Sequence, residues 1–218
     1  MPVWVLPVAR QMAGGLVVTL ELSLLSAAFG LAVGVVLGTL QTLPSGLVRL
    51  PIRAYVEVWR GLPIILTLFF IFFTLPAIGV SLPPFIAAVI GLSLWASANI
   101  AEIVRGSVAS IARGQHEAAT ALGLTWPQSM VFVIVPQAVR RMLPPLVSLL
   151  TNLIQSSALA AIISVLDLLL AAQRQINRLT LFGNAHALEI LGAVMVVYFL
   201  LCFPLTRVSA RLEKRLQV

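Results

Sequence analysis

A run of 41 consecutive residues without a charged side chain, Gly61 to Ala101, limits what this chain can fold into more than any other feature. About 20 apolar residues in a helix cross the core of a bilayer, so the run is too long for one crossing and long enough for two. Pro76, Gly79, Pro83 and Pro84 interrupt its middle and predict the turn of a helical hairpin there. We therefore expect an all-α integral membrane protein.

The composition supports this class. Of the 218 residues, 60% are hydrophobic and 10% are charged, whereas roughly 25% of the residues of soluble domains are charged. This composition excludes a disordered chain, and the single cysteine, Cys202, excludes a disulfide scaffold. The net charge of +7 is interpreted as a topology signal rather than as a nucleic-acid surface, and the lipid bilayer is the expected surrounding.

Charged residues, Pro and Gly divide the chain, a single domain over residues 1–218, into five predicted membrane spans. These cover about residues 16–43, 62–75, 85–103, 143–166 and 190–205. In this scheme Arg10, Arg174 and Arg178 lie on one side of the membrane, and the other eleven basic residues lie on the opposite side. Because cytoplasmic loops are enriched in Lys and Arg, the amino terminus is expected outside and the carboxyl terminus in the cytoplasm.

The segment from Ala118 to Val139 is also free of charge, and it could be taken for a sixth span. Several polar residues and the interruption from Gly123 to Pro127 leave apolar pieces that are too short to cross a membrane. We expect two short helices at the cytoplasmic surface. The alternative of a sixth crossing would place the cationic carboxyl terminus outside, against the charge distribution.

The chain offers little for enzymatic chemistry. A Walker motif needs a Gly-rich loop that ends in Lys, but the only lysine, Lys214, follows Arg211-Leu-Glu213. His116 and His186 lack the spacing of metal ligands. We expect no enzyme, no metal site and no cofactor in this chain.

The strongest motif lies in residues 114–138. It contains Glu117-Ala118-Ala119, then Gly123, and it ends in Ile134-Val-Pro136. This pattern resembles the EAA loop of permease subunits of ATP-binding-cassette importers, in a coupling loop of about residues 106–140 between spans three and four. Small alanine side chains allow such a helix to enter a groove on a partner, and glycine allows the backbone conformation that ends it. The alternative is an ordinary interfacial helix with small residues.

Further stretches narrow the resemblance to the polar amino acid branch, which includes histidine, glutamine, arginine and glutamate/aspartate permeases. The matching ranges are residues 15–23, 55–63, 84–88, 101–106 and 136–140. The resemblance implies a type I importer permease fold in a bacterial inner membrane. It also implies a second permease subunit, identical or homologous, an extracytoplasmic solute-binding protein, and two ATPase subunits that bind ATP and Mg.

Two Glu-x-x-Arg-Gly motifs lie at the predicted cytoplasmic membrane edge. Their spacing puts Glu57 and Arg60, and likewise Glu102 and Arg105, on one helix face, where local ion pairs are expected. A role in gating is the alternative.

Polar residues within spans three and four are candidates for the substrate pathway, because buried polar groups in a membrane tend to face the bundle interior. The candidates are Ser97, Asn99, Asn152, Gln155 and Ser156. Hydrogen bonding between helices would explain them equally well. Many members of the branch resemble Leu-Lys-Asp-Thr-Ser-Leu where residues 154–159 read Ile-Gln-Ser-Ser-Ala-Leu, so the substrate is left open.

In span one, Gly30, Gly34 and Gly38 follow one another at intervals of four residues, a pattern that permits close helix packing. Whether their partner helix belongs to this subunit or to another one does not follow from the sequence.

The favoured function is a permease subunit that moves a polar amino acid or a similar small solute. The alternatives are an ATP-independent secondary carrier or facilitator, and a membrane scaffold that binds an ATPase but moves nothing. No inverted halves are detectable, and Glu21 and Asp167 both lie near the predicted outer edge, which counts against an ion-coupled carrier.

Overall fold

The computed structural model describes residues 4–181, 183 and 186–216, which are mostly helical and contain no strand. The helices are α1 (Val5–Leu40), α2 (Gly46–Gly61), α3 (Ile64–Phe69), α4 (Pro84–Ala109), α5 (Arg113–Ala121), α6 (Trp126–Ser129), α7 (Val135–Ser157), α8 (Leu168–Leu181) and α9 (Ala187–Leu216). Irregular helical turns extend or join them: a π turn at Phe70–Thr74 and a 3-10 turn at Leu75–Ile78 after α3, a π turn at Met130–Ile134, and a 3-10 turn at Ala158–Ile163.

By length and apolar composition, the described residues contain four helices able to span a membrane, and a bent pair supplies a fifth candidate. The four are Val5–Gln41, Pro84–Ala109, Trp126–Ile163 and Ala187–Leu216. The fifth consists of Gly46–Gly61 and Ile64–Ile78, which meet at 102°. Five spans were predicted, and each predicted range overlaps one of these segments.

The helices extend further than the predicted spans. α1 begins at Val5, eleven residues before the predicted start at residue 16. The predicted span began after Arg10, but Arg10 lies exposed on the same helix. A charged residue limits the stretch that enters lipid, but it does not end a helix whose backbone hydrogen bonds continue.

The prediction of two short surface helices in residues 118–139 is only half right. α5 is a separate short helix, but Trp126 to Ile163 forms one continuous helix of 38 residues. Thr125 and Gln128 form a capping box that starts it, with Thr125 N donating to Gln128 Oε1 at 2.9 Å. Pro136 lacks an N–H donor, and the π turn before it accommodates this gap without ending the helix. The stretch therefore belongs to span four and forms no sixth crossing.

The close packing of α1 against α4 answers the question left open by the glycine pattern. A Cβ atom added at Gly34 would lie 2.6 Å from Ile100 Cβ, and one at Gly38 would lie 2.5 Å from Val104 Cβ. A Cβ added at Gly30 would lie 2.6 Å from Ala96 Cβ. The partner of all three glycines is therefore a helix of the same subunit.

α8 was not predicted. It is a 14-residue helix between spans four and five that packs on α1 and α9. Asp167 caps it, because Asp167 Oδ1 accepts a hydrogen bond from Leu170 N at 2.9 Å. Leu168 N also donates to Thr19 Oγ1 of α1 at 3.1 Å, so the start of α8 is fixed to span one.

Candidate functional site

The predicted coupling helix is α5, whose exposed side carries small and acidic residues. Ala119 is 2% exposed and holds the helix to the rest of the chain, whereas Glu117 and Ala118 are exposed. Glu117 forms no ion pair within the described residues. Leu122 at the end of this helix is 82% exposed, and no motif in the sequence pointed to it. The surface of α5 therefore combines a carboxylate, small side chains and one large apolar residue.

Gly123 ends α5 through its backbone conformation. Its φ angle is +77°, in the left-handed region that favours glycine. Gly123 N donates to Thr120 O at 2.9 Å and Leu124 N donates to Ala119 O at 3.1 Å, which is the hydrogen-bond pattern of a Schellman motif. A Cβ at this position would meet no atom of this chain within 4 Å, so the backbone angle alone explains the need for glycine here.

Two side-chain contacts connect the α5 region to span four. Gln137 Nε2 donates to Gln115 Oε1 at 3.1 Å, and Arg141 donates to the carbonyl oxygen of Ser110 at 2.6 Å. Sequence patterns gave no signal for these pairs, which are separated by 22 and 31 positions. Pro136 is exposed near the same junction, directly after the π turn. The turn between α4 and α5 and the start of α5 are thus both bonded to the continuous helix.

A cavity of about 690 Å³ opens between α2, α4, α7 and α9, and we name it the polar cavity. Its charged and amide-bearing lining consists of Arg60, Asn99, Glu102, Arg141, Asn152 and Glu213. It thus presents cationic, anionic and neutral polar groups in one space.

Arg60, Asn99 and Glu102 interact across the wall of the polar cavity. Arg60 Nε donates to Asn99 Oδ1 at 3.3 Å, and Arg60 Nη1 lies 4.0 Å from Glu102 Oε1. Glu102 also accepts a hydrogen bond from Arg105 Nε at 2.8 Å. All these side chains are partly exposed to solvent, and ion pairs in such a position contribute only about 0 to 1 kcal/mol each. They can therefore exchange partners at little cost.

Only one of the two expected local ion pairs is present. Glu102 and Arg105 are in contact within α4. The pairing of Glu57 with Arg60 is wrong, because Glu57 Oε1 accepts from Arg53 Nε at 2.7 Å, one helical turn earlier. Arg60 lies in the last turn of α2 and reaches α4 instead, where two acceptors are available.

Only some of the pathway candidates meet at the polar cavity. Asn99 and Asn152 line it, whereas Ser97, Gln155 and Ser156 are not in its lining. Ser97 is 2% exposed, and its hydroxyl is bonded to Tyr55 Oη at 2.7 Å and to Leu94 O at 2.9 Å. The Ser97 hydroxyl thus takes part in a hydrogen bond between α2 and α4, as the alternative explanation expects.

Gln155 is exposed and Ser156 is half-buried on α7. They lie three and four residues after Asn152, so the three side chains share one face of the helix. On this face Asn152 and Gln155 are exposed in the described part of the chain. Arg141 and Glu213 also line the polar cavity but were not predicted as pathway residues. Both lie outside the predicted spans, from which the candidates were chosen.

The described ranges contain no cluster of His, Cys, Asp and Glu side chains that could hold a metal ion.

Comparisons with known proteins all indicate one family of transport proteins. The family described as "Binding-protein-dependent transport system inner membrane component" matches residues 30–218. The probable glutamine ABC transporter permease protein GlnP of Bacillus subtilis is 36% identical over 201 residues, covering 92% of this chain and 91% of the relative. The glutamine transport system permease protein GlnP of Escherichia coli K12 is 36% identical over 214 residues, covering 97% and 95%. The L-cystine transport system permease protein TcyB of Bacillus subtilis is 35% identical, covering 94% and 86%.

Two solved structures of ABC transporters are similar to this chain. A crystal structure of an amino acid ABC transporter with histidines superposes with a TM-score of 0.86 at 28% identity, covering 95% of this chain and 94% of that chain. The MetNI methionine ABC transporter, in an inward-facing conformation, superposes with a TM-score of 0.76 at 24% identity, covering 97% and 99%, and is similar in fold.

Proposed function

The chain belongs to the family of binding-protein-dependent inner membrane transport components, and we propose that it moves a polar amino acid across the bacterial cytoplasmic membrane. It is a multi-pass permease subunit of an ATP-driven importer, and its energy comes from a separate ATPase. The observation that carries the substrate class is the presence of Arg60 and Glu102 in one cavity. An amino acid zwitterion carries a carboxylate and an ammonium group, and each finds an opposite charge there. Relatives named for glutamine and cystine transport support this class.

The substrate pathway continues from the polar cavity along α7. Asn99 and Asn152 line the cavity, and Gln155 and Ser156 extend the face that begins at Asn152. Uncharged amides and hydroxyls on this face bind a polar solute without fixing a net charge. Because the ion pairs of Glu102 with Arg60 and Arg105 are weak, these side chains can exchange partners with a zwitterion that passes.

Coupling to the ATPase takes place at α5. Glu117, Ala118, Ala119 and Gly123 form or end the helix that docks on the ATPase, and Pro136 shapes the junction with span four. The exposure of Glu117, the small side chain of Ala118 and the exposed Leu122 support a docking role. A helix with little side-chain bulk enters a groove closely, and its carboxylate suits a basic group there.

The assembly consists of two permease subunits, two ATPase subunits that bind ATP and Mg, and an extracytoplasmic solute-binding protein. The amino terminus lies outside and the carboxyl terminus lies in the cytoplasm, because eleven of the 14 basic residues then lie in the cytoplasm. A second permease is required because the polar face of α7 is open in a single chain, and five spans are few for a closed route. The secondary carrier is not favoured, since the relatives are permeases of ABC transporters.

The function is tested by reconstituting the permease with its ATPase and binding protein in proteoliposomes. ATP-dependent uptake of labelled glutamine, cystine and histidine is measured for the wild type, for Asn152→Ala, and for Thr39→Ala as a control. Thr39 is exposed on α1, and its hydroxyl donates to Val35 O of the same helix. We expect Asn152→Ala to raise the apparent KM while Thr39→Ala leaves it unchanged. Uptake without ATP would support a carrier, and ATP hydrolysis without uptake of any amino acid would refute the substrate class.

A further inference from the structure

A second cavity, of about 710 Å³, lies where the end of α1 meets α2 and the last turns of α4. We name it the basic cavity. Its lining includes Gln41, Gly46, Arg49, Arg53, Arg60 and Arg105. The polar cavity shares only Arg60 and Glu102 with it.

The charge of the basic cavity is unbalanced. Four guanidinium groups line it against two carboxylates, Glu57 and Glu102. Arg53 neutralises Glu57 at 2.7 Å, and Arg105 neutralises Glu102 at 2.8 Å. Arg60 stands 4.0 Å from a carboxylate that is already paired, and Arg49 forms no ion pair within the described residues. The cavity therefore has a surplus of about two positive charges.

The basic cavity also contains two sets of hydrogen-bond donors that lack acceptors in the described part of the chain. Gln41 is 7% exposed, and its Nε2 atom has no hydrogen-bond partner in the described part of the chain. The 16-residue helix α2 begins at the cavity with Gly46, and the side chain of its N-cap Ser45 makes no capping hydrogen bond. The first amide groups of a helix carry a partial positive charge and bind anions well. A group rich in acceptor oxygens fits this set of donors.

Apolar side chains next to the basic cavity point to a lipid. Leu47 is 90% exposed and Leu50, which lines the cavity, is 73% exposed, both within one turn of Arg49. α2 is bent by 102° from the segment Ile64–Ile78 that follows it, so the two do not run in one direction. Large exposed leucines beside the unpaired guanidinium group of Arg49 match a molecule that has acyl chains and an anionic head.

We propose that the basic cavity binds the phosphate headgroup of an anionic phospholipid. Arg49 contributes the unpaired charge, the start of α2 and Gln41 contribute hydrogen-bond donors, and Leu47 and Leu50 contact the acyl chains. Basic pockets between membrane helices on the cytoplasmic side bind such headgroups. The inference uses the proposed placement of this edge at the cytoplasmic face, but lipid binding is measured independently of transport.

The test is native mass spectrometry of the permease with its ATPase subunits in a mild detergent. Phosphatidylglycerol, cardiolipin and phosphatidylcholine are titrated separately onto the wild type, Arg49→Gln, Arg49→Lys and Arg215→Gln. Arg215 is a matched control, because it is exposed on α9 on the same predicted side and lies outside the basic cavity. A parallel titration adds inorganic phosphate to the complex that carries phosphatidylglycerol.

We expect phosphatidylglycerol and cardiolipin to bind more tightly than phosphatidylcholine. Arg49→Gln should weaken their binding about fivefold, which corresponds to about 1 kcal/mol for one basic residue at a membrane surface. Arg49→Lys and Arg215→Gln should bind as the wild type does. Equal affinity for the three lipids, or equal effects of Arg49→Gln and Arg215→Gln, would overturn the proposal. Displacement by phosphate would assign a small-anion site, and loss of the ATPase from Arg49→Gln with unchanged lipid binding would assign a protein-docking surface; either result would also overturn it.

Discussion

Substituting Gly34 by alanine should separate α1 from α4. The added Cβ would lie 2.6 Å from Ile100 Cβ and 2.7 Å from Ser97 O. Carbon atoms in favourable contact are about 3.5 to 4.0 Å apart, so the two helices must move apart by about 1 Å. Both atoms belong to the helical core of α4, and neither is the flexible end of a side chain.

The expected cost follows from this overlap. Introducing one methyl group into a close-packed interface costs about 1 to 3 kcal/mol. The neighbouring contacts at Gly30 and Gly38 lie on the same line, and each loses part of its dispersion energy when the helices separate. We therefore expect a loss of about 2 kcal/mol, which for a chain of this size lowers the melting temperature by roughly 4 to 8 °C.

The matched control is Gly14→Ala on the same helix. A Cβ at Gly14 meets no atom within 4 Å, and alanine has a higher helix propensity than glycine. The melting temperatures of both variants and the wild type are measured in detergent from the fraction that stays monodisperse after heating. Gly14→Ala should melt at or slightly above the wild-type temperature. If Gly34→Ala shows no loss, or if both variants lose equally, then the reasoning from close approach is refuted.

Three further predictions concern coupling, topology and pH. Gly123→Val should insert normally but lose stimulation of ATP hydrolysis in the assembled complex, because valine is strained at a φ of +77°; normal stimulation would show that this helix end does not matter for coupling. Cysteines placed at Gln115 and Gly79 in a Cys202→Ser protein should react with an impermeant reagent from opposite faces of the membrane, and labelling from one face would contradict the topology. Burial raises the pKa of Asp167 to about 6, so wild-type stability should fall as the pH rises from about 4 to above 6. Asp167→Asn keeps the helix cap and should show no such fall in melting temperature; a parallel fall in both proteins would assign it to other groups.

The four long apolar helices and the bent pair could be predicted because the bilayer thickness sets the length of an uncharged run that crosses it. The same rule could not find α8, since 14 residues containing Arg174 and Arg178 resemble an ordinary polar loop. A local signal for its start was Asp167, a favourable N-cap residue before Leu168. An amphipathic helix of this length depends on its contacts with α1 and α9, which the sequence does not display.

For the candidate site, the local geometry could be predicted where neighbours in sequence decide it, but not where tertiary contacts decide it. The glycine at position 123 followed from the chemistry of helix ends. Glu57 had two arginines within reach on its own helix, Arg53 and Arg60, and the contact of Arg60 with α4 decided which one it binds. Similarly, the hydroxyl of Ser97 is hydrogen-bonded to Tyr55, 42 residues away.

If α5 couples to the ATPase as proposed, the continuous helix from Trp126 to Ile163 connects it to the proposed substrate pathway. Its 38 residues extend on the order of 55 Å, well beyond the bilayer core of about 30 Å. One end is bonded to α5 through Gln115 and Gln137, and the other half carries Asn152.

The weakest point of this connection is the π turn at Met130–Ile134, since helices bend at such turns. Met130 and Ile134 are buried there against Ile111, in the link between α4 and α5. α5 and the Ile111 link both contact the turn, so we expect a displacement of α5 to move the turn and the helix that follows it. If coupling follows this route, the exposed surface of α5 receives the movement, and the apolar cluster of Ile111, Met130 and Ile134 transmits it to the long helix.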